Sequence, residues 1–243
     1  MPNIKGSVKN IRTEKNTCMN CTKKERSMLK ELSYNELETL ENNRLVVDYQ
    51  RGEVICKEGT MPIGLLCLNE GKVKITRKAH NGIEQIVSLK KPVNFINLRD
   101  VINDEPYKTS AVSLDDSSVC VIVQDNFLKV INHNPDLSLK IIHSLAKELD
   151  EADTRFANMT QKHLHARLAD ALLLIYDMYG TLSDGKTLNC TMKRAELAAM
   201  SNMTTANVIR TLSGFEKEKL VRLIKKQIKI IDIKRMKQAS NAS

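Results

Sequence analysis

The sequence has no long apolar run. Its longest, residues 171–176, sits between Asp170 and Asp177 and falls far short of the ~18 to 20 residues that a membrane-spanning helix needs. No transmembrane helix is expected. No apolar stretch follows the lysines of residues 1–15, so this segment does not read as a secretory signal, and a cytoplasmic location without a membrane partner is expected. The six cysteines then read as reduced thiols or ligands rather than a disulfide framework. Four of them, Cys56, Cys67, Cys120 and Cys190, lie in apolar runs, and only Cys18 and Cys21 are close together. A phosphate loop, a metal-binding His-Glu motif and a nucleophile elbow are also missing, and the paired acids fall on solvated helix faces, so the chain does not read as an enzyme. There is no internal repeat and no low-complexity stretch beyond a polar tail at 238–243. What is present, 42% hydrophobic and 28% charged residues in 243, excludes general disorder and suits two modest domains better than one large one.

The charge is unevenly placed. The whole chain carries 38 basic and 29 acidic side chains, a net of +9, and residues 191–237 alone carry twelve basic and four acidic ones, a net of +8. A positive field concentrated at one end is the footprint of a nucleic-acid-binding domain, although a solvated basic tail has the same composition.

Residues 31–40 place Leu32, Leu37 and Leu40 among acids, with Ser33 as a cap, and predict a short helix. The period then changes. Short β-rich runs at 46–47, 54–56, 64–68, 72–76, 83–89, 93–98, 109–114 and 119–123 are punctuated by Arg51-Gly52-Glu53, Glu58-Gly59, Asn69-Glu70-Gly71 and Asn81-Gly82. Some eight brief strands with Gly or Asn-Gly at the bends predict an antiparallel roll or barrel. Beyond Val123 the pattern is helical. Asn134-Pro135 is a helix start, and Ile142, Leu145, Leu149, Ala152, Phe156 and Met159 then recur at spacings of three and four, a narrow apolar seam between charged flanks. Such a seam suits pairing with a second copy; packing on the chain's own β domain is the alternative. A further helix over 163–179 ends at Gly180, and Ser183-Asp184-Gly185 predicts a turn. Two short helices and two strands, 220–224 and 227–233, joined at Lys225-Lys226, complete the chain. His163 and His165 lie two apart on a helix, face different ways and look structural.

The stretch from Lys193 to Arg210 meets the requirements of a helix-turn-helix. Ala198 is small enough for the helix crossing, Asn202 tolerates a left-handed turn, and Leu197, Met203, Val208 and Leu212 can lock the pair. Thr204 caps the second helix, leaving Thr205, Ala206, Ile209 and Arg210 on the face away from the core. Arg210 is the candidate base reader, because a guanidinium pairs bidentately with guanine O6 and N7. Thr205 and Asn207 can reach a phosphate or a base edge, and Lys193, Arg194, Lys225 and Lys226 are placed to grip phosphates.

With Arg51-Gly52-Glu53, Glu58-Gly59 and the run from Leu66 to Lys74 in the roll, followed in order by a long helix, the helix-turn-helix and a hairpin wing, the chain resembles the cyclic-AMP receptor protein and fumarate-nitrate regulator (Crp/Fnr) family of bacterial transcription factors from about Leu32 to Ile233. The resemblance implies an α+β chain: a polar leader (1–22), a cupin-like antiparallel β-roll of the cyclic-nucleotide-binding type (23–134), a dimerisation helix (135–160) and a winged helix-turn-helix (161–243). It implies a homodimer on a two-fold double-stranded DNA operator, in contact with RNA polymerase, with a small-molecule effector in the roll shifting the helix-turn-helix pair.

The departures from the family pattern carry information too. Cyclic-nucleotide binders have a Gly-Glu pair and an Arg-Ser or Arg-Thr pair; here Asn97 and Leu98 stand in the first stretch, and Lys108 replaces the arginine before Thr109. Ordinary cyclic-AMP recognition is therefore not implied, while an anion at Lys108 and Thr109 stays open, and the sequence names neither effector nor cofactor. Ala206 replaces a base-reading glutamate and Thr205 a basic residue, which implies a different operator from that of the type member. Lys219 stands where glycine is frequent and should be strained. Cys18, Cys21 and Cys120 resemble part of the iron-sulfur ligand set of the oxygen-sensing branch, with Ser27 near a missing third N-terminal cysteine; an iron-sulfur or redox-sensing member is thus an alternative, as is a ligand-binding module acting through a protein partner.

Overall fold

The computed structural model describes residues 11–12, by backbone alone, and 21, 23–79 and 82–241. Cys18 and Asn81, both singled out above, lie outside the described residues. The chain divides into two compact units, 1–77 with 88–149 and 78–87 with 150–243.

In the first unit, helix α1 (Tyr34–Glu41) starts where Ser33 can close a capping box. Its hydroxyl accepts from the Glu36 amide, and the Glu36 carboxylate accepts from the Ser33 amide at 2.8 Å. Glu31 and Leu32 therefore precede the helix that the sequence pattern started at 31. Strands β1 (Ile11–Arg12), β2 (Leu45–Tyr49), β3 (Val54–Cys56), β4 (Leu65–Glu70), β5 (Val73–Lys78), β6 (Glu84–Lys90), β7 (Phe95–Ile96), β8 (Ser110–Ser113) and β9 (Ser117–Ile122) form two sheets, ordered β1-β2-β9-β4-β7 and β3-β8-β5-β6. Gly71, at φ +94, makes the β4–β5 bend, and an added Cβ would lie 2.2 Å from the Ser117 hydroxyl, so only glycine fits.

One expected strand is largely absent. Residues 93–98 yield only two strand residues, because Val93 sits at φ +79 and Asn97 at φ +51, and neither value belongs to a strand. Val93 is β-branched, and this conformation costs on the order of 1–3 kcal/mol; its amide donates to the Leu68 carbonyl at 2.8 Å. After Asn97 the chain turns into the short helix α2 (Leu98–Ile102), and after β9 into α3 (Gln124–His133).

Leu65, Leu66, Leu68, Ile96, Val119 and Phe127 are fully buried in one apolar cluster with Leu37 and Leu40. Each such side chain contributes about 1.5–3 kcal/mol relative to exposure. Helix α4 (Pro135–Gln161) begins as predicted, with Asn134 Oδ1 accepting from the Leu137 amide at 2.8 Å. Its first turns bury Leu137 and Ile141 in that same cluster, with Leu145 packed against it.

In the second unit, α5 (Leu164–Tyr179) ends at Gly180, held at φ +69. Helices α6 (Arg194–Ser201) and α7 (Thr205–Lys217) are followed by the hairpin β10 (Val221–Ile224) and β11 (Gln227–Ile230). The predicted second strand stops three residues early. Asp232 Oδ1 accepts from the Arg235 amide at 3.0 Å, and α8 (Ile233–Asn241) begins, burying Met236. The segment read as a polar tail is thus mostly helix. His165 is structural, its ring edge-on to buried Phe215 at 4.4 Å between centroids.

Candidate nucleic-acid interface

The geometry of α6 and α7 follows from four residues. The Lys193 amide donates to Glu196 at 2.7 Å and opens α6. Ala198 is buried, so the following helix can approach closely. Asn202 closes α6 at φ 50, ψ 53, the left-handed conformation that asparagine tolerates better than other residues with a Cβ. Thr204 then accepts from the Asn207 amide at 3.2 Å and opens α7. Leu197, Val208, Leu212 and Phe215 are fully buried beneath, and Met203 is half-buried.

This leaves Thr205, Ala206, Ile209 and Arg210 exposed on the first two turns of α7, as the spacing predicts. Arg210 Nη2 donates to Asn207 Oδ1 at 3.2 Å, which aims the guanidinium while leaving it exposed. Asn207 is half-buried, so it is better placed to orient Arg210 than to reach far itself. Lys193 is exposed, Arg194 half-buried. Burial lowers the pKa of Arg194, and a guanidinium stays charged nonetheless.

The wing is tied to the recognition helix by Glu216, whose carboxylate accepts from the Leu223 amide at 2.8 Å. Lys219 sits at φ +57, so the strain expected from a lysine at a glycine-favouring position is present. Lys225, at φ +54, and Lys226 are exposed at the hairpin tip.

The apolar seam of α4 is open where the sequence predicts pairing. Ile142 is 59%, Leu149 63% and Phe156 72% exposed, Ala152 is exposed and Met159 half-buried. Leu145 differs, because it packs partly on the roll.

The candidate effector residues meet inside the roll. Asn97 Nδ2 donates to the Thr109 carbonyl at 3.0 Å and to Cys56 Sγ at 3.3 Å, and Thr109 Oγ1 donates to Asn97 Oδ1 at 3.0 Å. Leu98 is buried beside them. Lys108 does not join them through its side chain: its ammonium pairs with Glu105 at 3.3 Å on the surface, and its amide donates to buried Asp100 at 3.1 Å. Burial pushes the Cys56 thiol and the Tyr49 phenol each up to about 12, so both stay protonated near neutrality.

Cys21 and Cys120 line one cavity, and Cys67, read from sequence only as a residue of an apolar run, lines it with them. Strand register brings Cys67 there, a signal no spacing rule contains. Among the described residues no group of three His, Cys, Asp or Glu side chains is placed to hold a metal ion.

Comparison with known proteins agrees with this architecture. Residues 46–134 match the cyclic nucleotide-binding domain family, and residues 166–239 match the Crp-like helix-turn-helix domain family. The CRP-like cAMP-activated global transcriptional regulator of Mycobacterium tuberculosis is 25% identical over 192 residues, 78% of this chain and 85% of that protein. The cyclic AMP receptor protein of Thermus thermophilus is 25% identical over 175 residues, 72% of this chain and 78% of that one. In fold, FixK2 from Bradyrhizobium japonicum superposes with a TM-score of 0.73 at 18% identity, over 82% of this chain and 98% of that one. Among the described residues no helix is long and apolar enough to cross a membrane. The two matched domains, in this order and joined by the long helix, make this chain a member of the Crp/Fnr family of DNA-binding transcriptional regulators.

Proposed function

We propose that the protein acts in the cytoplasm as a homodimer that reads a two-fold operator, with no catalytic step, dividing its work among the roll (23–134), the dimerisation helix (135–160) and the winged helix-turn-helix (161–243). The observation that carries this reading is the exposed, capped start of α7, with Thr205, Ile209 and Arg210 facing outward in a strongly basic segment. Arg210 reads a guanine, Thr205 a base edge or phosphate, and Ala206 and Ile209 offer only apolar surface, which suits a thymine methyl. Asn207 aims Arg210. Lys193, Arg194, Thr204, Lys225 and Lys226 hold phosphates. Ile142, Leu149, Ala152, Phe156 and Met159, with part of Leu145, bury themselves against the second copy.

A small-molecule effector binds the roll near Asn97, Leu98, Lys108 and Thr109 and shifts the equilibrium between helix-turn-helix arrangements, and the dimer contacts RNA polymerase. Because Asn97 and Thr109 already satisfy one another, an effector at this end must exchange those bonds for its own. The test is a fluorescence-anisotropy titration of the whole protein with duplex DNA from upstream of its own gene. Specific binding that weakens steeply with salt is expected. Binding no tighter than to random duplex, across a panel of effectors, overturns the reading.

A further inference from the structure

Cysteine placement in the first unit carries an inference independent of DNA binding. Strands β4 and β9 run antiparallel, and their register sets Cys67 directly opposite Cys120. Leu66, Leu68, Val119 and Val121, which alternate with the two cysteines, are buried on the other face, while Cys67 and Cys120 are both half-buried. Both therefore project from the same face, in a row that continues to Val46 on β2 and Phe95 on β7. Directly opposed residues have Cβ atoms about 4.5–5.5 Å apart. A disulfide needs about 3.5–4.5 Å, so closing the pair asks the strands to approach by roughly 1 Å.

Cys67 packs in part against the buried apolar cluster, and both thiols border open space. They line a cavity of about 60 Å³ with Cys21, Lys23 and Val93. One water requires only about 10–15 Å³ on such a measure, so a molecule of a few atoms has room. Arg44 Nη1 lies 3.2 Å from Cys120 Sγ, and Arg44 is itself held by Glu41 at 3.1 Å. Burial raises the pKa of the Cys120 thiol, and the guanidinium offsets part of that rise. Cys120 thus has a cation beside it and a thiol directly opposite.

We propose that Cys67 and Cys120 form a cross-strand dithiol that hydroperoxides close to a disulfide and that trivalent arsenicals bridge. In the first reaction the Cys120 thiolate attacks one peroxide oxygen, the O–O bond breaks, and the alcohol leaves with a proton. The Cys67 thiol then attacks the sulfenic sulfur; the S–S bond forms, the S–O bond breaks, and water leaves with the Cys67 proton. The two thiols lose two electrons and the peroxide gains them. In the second reaction two As–S bonds replace the As–O bond of an arsenoxide, both thiol protons leave in one water, and nothing is oxidised.

The test uses the whole reduced protein, treated with hydrogen peroxide, alkylated and mapped by mass spectrometry without reduction. A Cys67–Cys120 linked peptide is expected, present in wild type and in Cys21→Ser and lost in Cys67→Ser and Cys120→Ser. In a Cys21→Ser background, which removes the Cys18–Cys21 pair, phenylarsine oxide should add one equivalent, and none once Cys67→Ser is also present at matched concentration. Two results overturn the proposal: a peroxide-induced linkage of Cys120 to Cys18 or Cys21 in place of Cys67 in wild type, or oxidation of single cysteines with no linkage in wild type. Neither reading needs the variants to fold, because the wild-type peptide map alone decides which partner Cys120 takes. Failure here leaves the operator reading untouched, since no DNA enters the experiment.

Discussion

The proposed effector end of the roll and the start of α7 hold similar polar side chains in opposite states. In the roll, Asn97 and Thr109 are largely buried and bond to each other. On α7, Thr205 and Arg210 are exposed, and the side-chain bond from Arg210 to Asn207 lies where water or a base can replace it. A buried polar group must find its partner within the protein, whereas an exposed one can trade partners at little cost. The start of α7, the proposed DNA-reading surface, is therefore ready as it stands. The effector end has to give something up.

The comparison breaks first if the ready surface works alone. A single recognition helix makes too few contacts for strong binding, and joining two raises avidity on the order of 10²–10⁴-fold. Replacing Leu149 and Phe156 together by aspartate should abolish self-association, seen by analytical ultracentrifugation, and weaken operator binding at least about 100-fold. Undiminished operator affinity in a monomeric variant would show that pairing through α4 is not what delivers the two helices.

Next in size is the division of labour on the exposed surface itself. Arg210→Ala should cost about 1–3 kcal/mol of discrimination between operator and random duplex. Lys225→Ala should weaken all sequences alike and lower the magnitude of the salt slope by about 1. An intact specificity ratio in Arg210→Ala would move base reading to another residue.

A direct contrast of the two regions comes from stability. Asn97→Ala strips buried Thr109 of the Asn97 partners of its hydroxyl and its carbonyl and should destabilise the protein by about 1–3 kcal/mol in urea unfolding. Thr205→Ala removes an exposed hydroxyl and should stay within about 0.5 kcal/mol of wild type. Equal losses would mean that the two sites do not differ as described.

How legible these regions were in the sequence follows from how local their causes are. Ser33, Asn134 with Pro135, and Thr204 act within a single turn of chain, and each starts a helix in the structure as the sequence implied. Asn202 did likewise, its left-handed turn being a property of one residue. Val93 was misread because a β-branched residue at positive φ contradicts its own propensity, and a contact to Leu68 holds it there. The last helix was misread because Ile228, Ile230, Ile231 and Ile233 continue a strand-like pattern through Asp232, whose cap interrupts it. The opposition of Cys67 and Cys120 was out of reach for a different reason: register across two strands 53 positions apart is settled by the whole sheet.

The smallest effect distinguishes charge from shape at the turn before the helix-turn-helix. Asp184 accepts from the amides of Lys186 and Thr187 at 3.0 and 2.8 Å and from the Thr187 hydroxyl at 2.7 Å, and pairs with Lys229 on the wing at 3.0 Å. The amide bonds to Thr187 and Lys186, then the hydroxyl and Lys229, hold its carboxyl well below the usual range. A depressed carboxylate pKa adds stability above the unfolded value, about 3.9, and that stability is lost as pH falls toward the folded value. Asp184→Asn keeps one acceptor oxygen for the two amides and loses the anion facing Thr187 and Lys229. Its urea midpoint should lie slightly below wild type at pH 7, with the gap closing as pH drops through 4 and 3, and the part due to half-buried Lys229 shrinking in high salt. A gap that persists unchanged at pH 3 would mean that this turn uses the side chain's shape and not its charge.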